Sequence, residues 1–366
     1  MEAIMESEPI KYKPSENSNQ VTRTQNHTIL SKSSYLVTFS QILEQHYNRK
    51  FGQKITPIAI LKTLSVISSN FKDNAKLWVL HVAPSRQLKS QTSNEQAKIF
   101  PKKRLIYLGS DQTIHSIIKN YGNTINGKCL LINDLTLLLS SKALRAKSRL
   151  INALSELYSE GIYTYSDFQQ NLTLKAQFSL IANITPKSLF YNRKDTLGNT
   201  FLERCIVVYS QLTDQEMAEA NLNREEKQAL RPPKFKQTLH ERDVKISKED
   251  LVRLNEYAKR WRILGAYTSS SQTFDIIKSI ATAYAILSGH ITLTSEEYRY
   301  LDMLEPHIRN PFENVKLTIL EFAFQGRSVK DICLLLNRDY DKYHPYVSRV
   351  LNEYRREGVL PAKENM

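Results

Sequence analysis

Cysteine is scarce in this chain, with three in 366 residues. Cys129, Cys205 and Cys333 lie far apart, and none stands in a CxxC or Cys/His spacing. That argues against a disulfide framework or a zinc site and fits a reducing compartment. No apolar run approaches the ~20 residues a membrane helix requires, so no membrane partner is expected. The opening residues Met1-Glu2-Ala3-Ile4-Met5-Glu6 are acidic without an apolar centre and do not read as a signal peptide. These absences predict a soluble, cytoplasmic protein. Acidic residues are also in deficit: 37 Asp and Glu against 51 Lys and Arg leave a net charge of +14. Such an excess makes nucleic acid the first partner to consider. No Ser/His/Asp or metal constellation is visible, and the eight histidines are scattered, which disfavours a metabolic enzyme.

What is present is an alternation of short apolar runs and helical stretches. Residues 1–33, rich in Ser, Asn, Gln, Thr and Lys, predict a flexible arm. From Tyr35 the spacing is helical, through Leu36, Phe39, Ile42 and Leu43, then Ile58, Leu61, Leu64 and Ile67. Candidate strands follow at Leu77–Val82, Leu105–Leu108, Cys129–Ile132, Phe178–Ala182 and Cys205–Tyr209. Continuous apolar runs of that length suit a parallel sheet covered on both faces. With the helix expected over Ser141–Ser159, residues 34–210 read as an α/β core. Residues 211–311 read as a charged linker, interrupted by Pro232-Pro233, and a small helical lid; 312–366 form a last unit.

The turn after the first strand, Ala83-Pro84-Ser85-Arg86-Gln87-Leu88-Lys89-Ser90, has the length and ending of a phosphate-binding loop but none of its glycines. Such a loop needs Gly, four free residues, then Gly-Lys-Ser/Thr between strand and helix, because its backbone N–H groups converge on phosphate oxygens. Ala83 and Leu88 hold the glycine positions, and Leu88 is expected to put a bulky side chain near the phosphate path. Lys89 stands where the phosphate lysine would be, and Ser90 where a hydroxyl would meet magnesium. The third strand ends in Asn133-Asp134, in the place of a metal-orienting acid and a water-polarising acid. Asn133 supplies no charge there. The fourth strand ends in Asn183, and Arg204 directly precedes the fifth.

Strand and phosphate-loop-like turn, strand with Asn-Asp, strand with Asn, and Arg before a strand fall in one order. Together they resemble the AAA+ ATPases, and among them the minichromosome maintenance helicases of archaea and their mobile-element relatives. Leu202-Glu203-Arg204-Cys205 is similar to that family's arginine-finger stretch, and Ile280–Ala285 to its lid helix. The resemblance implies a P-loop NTPase-like sheet, a helical lid and a C-terminal winged helix-turn-helix. It implies Asp134, Asn183 and Arg204 in catalytic roles, with Arg204 serving a neighbouring subunit. Ala83, Leu88, Lys89, Ser90 and Asn133 would bind ATP, with Ser90 and Asn133 facing Mg2+. Gln272 falls near the family's second sensor arginine. With Ala83, Leu88, Asn133 and Gln272 altered, ATP and Mg2+ binding is expected to be weak or absent. Arg204 would then complete the site of an active partner in a homo- or hetero-oligomeric ring or filament.

In the last unit, Leu317, Ile319, Leu320 and Phe324 precede Gly326, and Ser328 is positioned to cap a helix over Val329–Leu336. After a polar turn at 337–343, Pro345 suits a helix start, with Val347, Val350, Leu351 and Tyr354 as its apolar stripe. The outer face carries His344, Tyr346, Ser348, Arg349, Asn352, Arg355 and Arg356, residue types suited to base edges and phosphates of double-stranded DNA. The expected function is a DNA-binding AAA+ protein of replication or mobile-element maintenance, nucleoid-associated, with little ATP hydrolysis of its own. The alternative is a helix-turn-helix transcriptional regulator or scaffold that uses the α/β core for oligomerisation only.

Overall fold

The structure, a computed structural model, describes residues 37–109, 112–140, 144–166, 171–192, 197–222, 224–265, 269–308, 319, 322–324, 326–335, 339–356 and 360. The arm expected over 1–33 lies outside them, as do Leu317 and Leu320 of the last unit.

Five strands make the central sheet: β1 (Trp78–Val82), β2 (Leu105–Tyr107), β3 (Cys129–Ile132), β6 (Ser179–Ile184) and β7 (Cys205–Tyr209). A separate antiparallel hairpin, β4 (Ile162–Ser166) with β5 (Asn171–Lys175), precedes β6. The order is β2-β3-β6-β1-β7, and every pairing in the five-stranded sheet is parallel. All five carboxyl ends therefore open on one edge, where open α/β sheets carry their ligands. The apolar runs forecast these strands to within two residues.

Successive side chains of a strand face opposite sides, which sorts the core into two layers. Trp78, Leu80 and Val82 of β1 join Leu130, Ile132, Leu180, Ala182, Cys205 and Val207 on one side. Helices α4 (Ile114–Tyr121), α5 (Leu135–Ser140), α6 (Leu144–Glu160) and α8 (Gly198–Leu202) bury residues in that layer. There Trp78 stacks on Phe178, centroids 5.4 Å apart, and its Nε1 donates to the Phe178 carbonyl at 3.0 Å. The other face, with Val79, Leu131, Ile181, Ile206 and Val208, packs against α2 (Thr56–Ser68), and α1 (Phe39–Phe51), α11 (Lys248–Gly265), α12 (Ser270–Ser288) and α13 (Ser295–Leu304) complete the core on that side. Helix α2 is buried on every side, as expected of a helix caught between a sheet and a second helical layer.

The charged segment after β7 forms α9 (Asp214–Asn221) and α10 (Arg224–Ala229), then an irregular strap. Val37–Met366 is one compact unit. At the C-terminal end, Ile319, Ile332, Val347, Val350, Leu351 and Tyr354 make a small core of their own.

Candidate functional site

The turn between β1 and α3 (Lys89–Ile99) is the one place among the described residues where non-glycine residues take positive φ: Arg86 at 66° and Leu88 at 59°. A left-handed leucine is strained by about 1–3 kcal/mol and persists only where its surroundings over-determine it. Here two contacts do so. The Leu88 side chain is buried in the core between sheet and helices. Gln87 clamps the turn, its Nε2 donating to the Leu212 carbonyl at 3.2 Å and its Oε1 accepting from Leu212 N at 3.0 Å. The Leu88 side chain is packed in that core, while its backbone adopts the left-handed conformation that glycine takes readily.

Lys89 opens α3, a helix with no side-chain cap and no acidic residue in its first turn, so its leading N–H groups and dipole are unopposed. The Lys89 ammonium folds back onto the loop, donating to the carbonyls of Ala83 at 2.5 Å and Pro84 at 2.7 Å. Burial lowers its pKa, and the charge of Asp134 works against that shift. Ser90 Oγ donates to the Asn133 carbonyl at 3.2 Å. Asn133 Nδ2 donates to Asn94 Oδ1 at 2.9 Å, whereas its Oδ1 is buried with no partner. Asp134 is exposed and its carboxylate accepts from Thr136 N, at the start of α5. Ala83, Leu88, Lys89, Ser90, Asn133 and Asp134 thus stand around one point at the carboxyl edge of β1 and β3. A cavity of about 760 Å³ opens beside Pro84, lined also by Pro186, Tyr209, Ser210 and His307.

Asn183 lies beneath this point, fully buried on the α2 side of β6. Its Oδ1 accepts from Lys62 Nζ at 2.9 Å, and its Nδ2 donates to Ser93 Oγ at 2.9 Å and to the Asn133 carbonyl at 3.3 Å. Both ends of the amide are therefore engaged inside the protein. Lys62 was not singled out in the sequence; the signal was a lone lysine inside an otherwise apolar helical run. His81 on β1 is a packed residue, sharing a hydrogen bond with Ser210 at 2.8 Å.

Arg204 stands at the opposite edge. Cys205 pairs with Trp78, the first residue of β1, so Arg204 and the loop are separated by the length of a strand, ~16 Å. Its guanidinium bonds Ser159 Oγ and the Thr200 carbonyl. Gln272 is there too, its Nε2 donating to the Glu203 carbonyl at 2.9 Å. Gln272 is therefore no damaged part of the loop's own site: the first turn of α12 packs at the amino edge of the sheet, beside Arg204.

In the last unit, Gly326 takes φ 72°, and Ser328 caps the helix Val329–Leu335 by accepting from Asp331 N at 3.2 Å. The next helix runs Tyr340–Arg356, five residues earlier than Pro345 suggested. Asp339 explains the difference, because its carboxylate accepts from Lys342 N at 3.2 Å and starts the helix ahead of the proline. Arg349, Asn352 and Arg356 are exposed, while His344, Tyr346, Ser348 and Arg355 are half-buried on the same helix. Ser348, Arg349, Asn352 and Arg356 line a groove of about 650 Å³. Arg349 lies over the Tyr346 ring, 5.4 Å from its centroid.

No protein-family model matches the chain, and no curated protein matches it. No helix among the described residues is long and apolar enough to cross a membrane, and no group of three or more metal-ligating side chains occurs among them.

Proposed function

We propose that the chain is a DNA-binding protein of the AAA+ class, acting in replication or mobile-element maintenance, with a phosphate-binding loop at 83–90 and a DNA-contacting helix at Tyr340–Arg356. The observation that carries this reading is the loop backbone. Left-handed φ at Arg86 and Leu88 is concentrated in the six residues between β1 and Lys89, and backbone strain clusters where function requires it. The donor set fits a magnesium nucleotide: α3 N–H groups and Lys89 for phosphate, Ser90, the partnerless Asn133 Oδ1 and Asp134 for a hydrated cation. Bound magnesium ATP would supply phosphoryl transfer to water. Asn133 adds no charge to that set, so hydrolysis by the chain alone is weak.

Arg204, a strand's length from its own loop, serves the site of a neighbouring subunit in a homo- or hetero-oligomer. The test is nucleotide binding and hydrolysis by the full chain, with and without duplex DNA. Binding with slow turnover supports the proposal. Robust turnover abolished by Lys89→Ala removes the weak-hydrolysis part, and no binding removes the nucleotide part.

One arrangement favours a second reading. The Lys89 ammonium is bonded to loop carbonyls and Asn183 is spent internally, as a core used only for assembly would allow. Oligomers that form identically without nucleotide and bind a specific duplex sequence would establish that regulator or scaffold role instead.

A further inference from the structure

Helix α2 carries a single lysine, and it is fully buried. The Lys62 ammonium meets four oxygens: the Lys89 carbonyl at 3.0 Å, Thr92 Oγ1 at 2.8 Å, Ser93 Oγ at 3.0 Å and Asn183 Oδ1 at 2.9 Å. All four are neutral. Burying an ammonium without a counter-charge is costly, and an apolar residue would serve packing better. The charged groups that face it deepen the imbalance. Lys89 from α3 repels it, and His81 from β1 stands near both lysines and His307. No acidic side chain among the described residues pairs with it: Glu95, the buried acid of α3, is paired with His46, Lys50 and Lys98, and Asp134, beyond β3, acts on Lys89.

We infer that Lys62 is a positioning residue of the phosphate loop: it sets the Asn183 amide and the first turn of α3 from beneath, and an anion in the loop supplies the charge it lacks. The inference rests on the loop reading above. Its geometry is specific. An ammonium only donates, so the Asn183 oxygen must face Lys62, which sends the amide nitrogen toward Ser93 and the end of β3. Three of its four acceptors belong to the first turns of α3, so Lys62 also holds the N–H groups that would meet phosphate.

Anion occupancy and protonation of Lys62 are then linked. Burial, and secondarily the charge of Lys89, hold its pKa well below the ordinary 10.5. A bound anion raises it again, so binding takes up a proton and affinity increases as the solution is made less alkaline.

The experiment is titration calorimetry of the full chain with inorganic tripolyphosphate at stepped pH from about 7 to 10, in two buffers of different ionisation heat at each step, with uptake read as the difference between native protein and variant. Native protein is expected to take up protons on binding. Lys62→Met is expected to bind about tenfold more weakly, the scale of one lost charge at close range, with the uptake abolished. Lys62→Gln, which keeps a donor for Asn183 but no charge, should also lose the proton uptake and stands in for Lys62→Met if that variant does not fold. A purely structural lysine would change stability and leave proton uptake alone, so equal uptake in native protein and variant overturns the inference. Binding by native protein with no uptake also overturns it. Absence of any binding by native protein overturns the loop reading itself, and is distinguishable from both.

Discussion

At the carboxyl edge of the sheet two lysines turn inward, whereas on the helix Tyr340–Arg356 the arginines turn outward. Lys62 and Lys89 are bonded to protein oxygens. Arg349 and Arg356 stand in solvent beside an open groove. Charge in solvent is screened within about 10 Å at 0.1 M salt, and charge under a sheet edge much less. The outward set therefore suits a long polyanion met through many weak, salt-sensitive contacts. The inward set suits a compact anion that completes a preformed network. A shared net charge of +14 does not distinguish these two settings.

The largest expected effect lies on the outward side. Replacing Arg349, Arg355 and Arg356 with alanine together should weaken duplex binding roughly 100- to 1,000-fold at low salt and reduce the salt slope by about three. Anisotropy across a salt series measures both, and an unchanged slope would break the contrast. On the inward side, Lys89→Ala should lower affinity for magnesium ATP about 10- to 100-fold, since a charge-assisted contact is lost. Duplex affinity should stay within about twofold, because distant sites act independently; parallel loss of both would merge the two regions into one.

Leu88→Gly sets two effects against each other. Relief of the left-handed backbone returns about 1 kcal/mol, while loss of the buried side chain removes about 2–3 kcal/mol. A net loss of about 1–2 kcal/mol in urea unfolding is expected, and a more stable variant would mean that strain dominates. A pH-dependent effect concerns Glu95, on α3 beyond the loop. Burial raises its pKa, but hydrogen bonds from His46 and Lys50 and the charges of Lys50 and Lys98 overcome that and bring it to about 2. Because the folded value lies below the ordinary 4.5, its stabilisation is complete above 4.5 and is lost as pH falls toward 2. Glu95→Gln should flatten acid unfolding in that window, which denaturation at stepped pH records.

Much of the sheet was legible because strands buried on both faces are continuous apolar runs, and Cys129–Ile132 or Cys205–Tyr209 admit few other readings. The hairpin Ile162–Lys175 was missed because Tyr163 and Tyr165 alternate with polar residues on a half-exposed ribbon. Lys89 and Ser90 were singled out by spacing, and the structure places both at the start of α3. The conformation of Leu88 could not be, since a leucine carries no sign that its neighbours will hold it at positive φ. Lys62 was hidden for a related reason: a solitary lysine in a helix marks a solvent face, unless the helix has none.

That last condition has a mechanical consequence. Helix α2 touches α3 and β6 on one side and α1, α12 and α13 on the other. Close-packed interiors transmit displacement and do not absorb it. A shift of α3 by even a fraction of an ångström would be delivered along α2 as through a stiff rod. The helical layer would register it without any hinge.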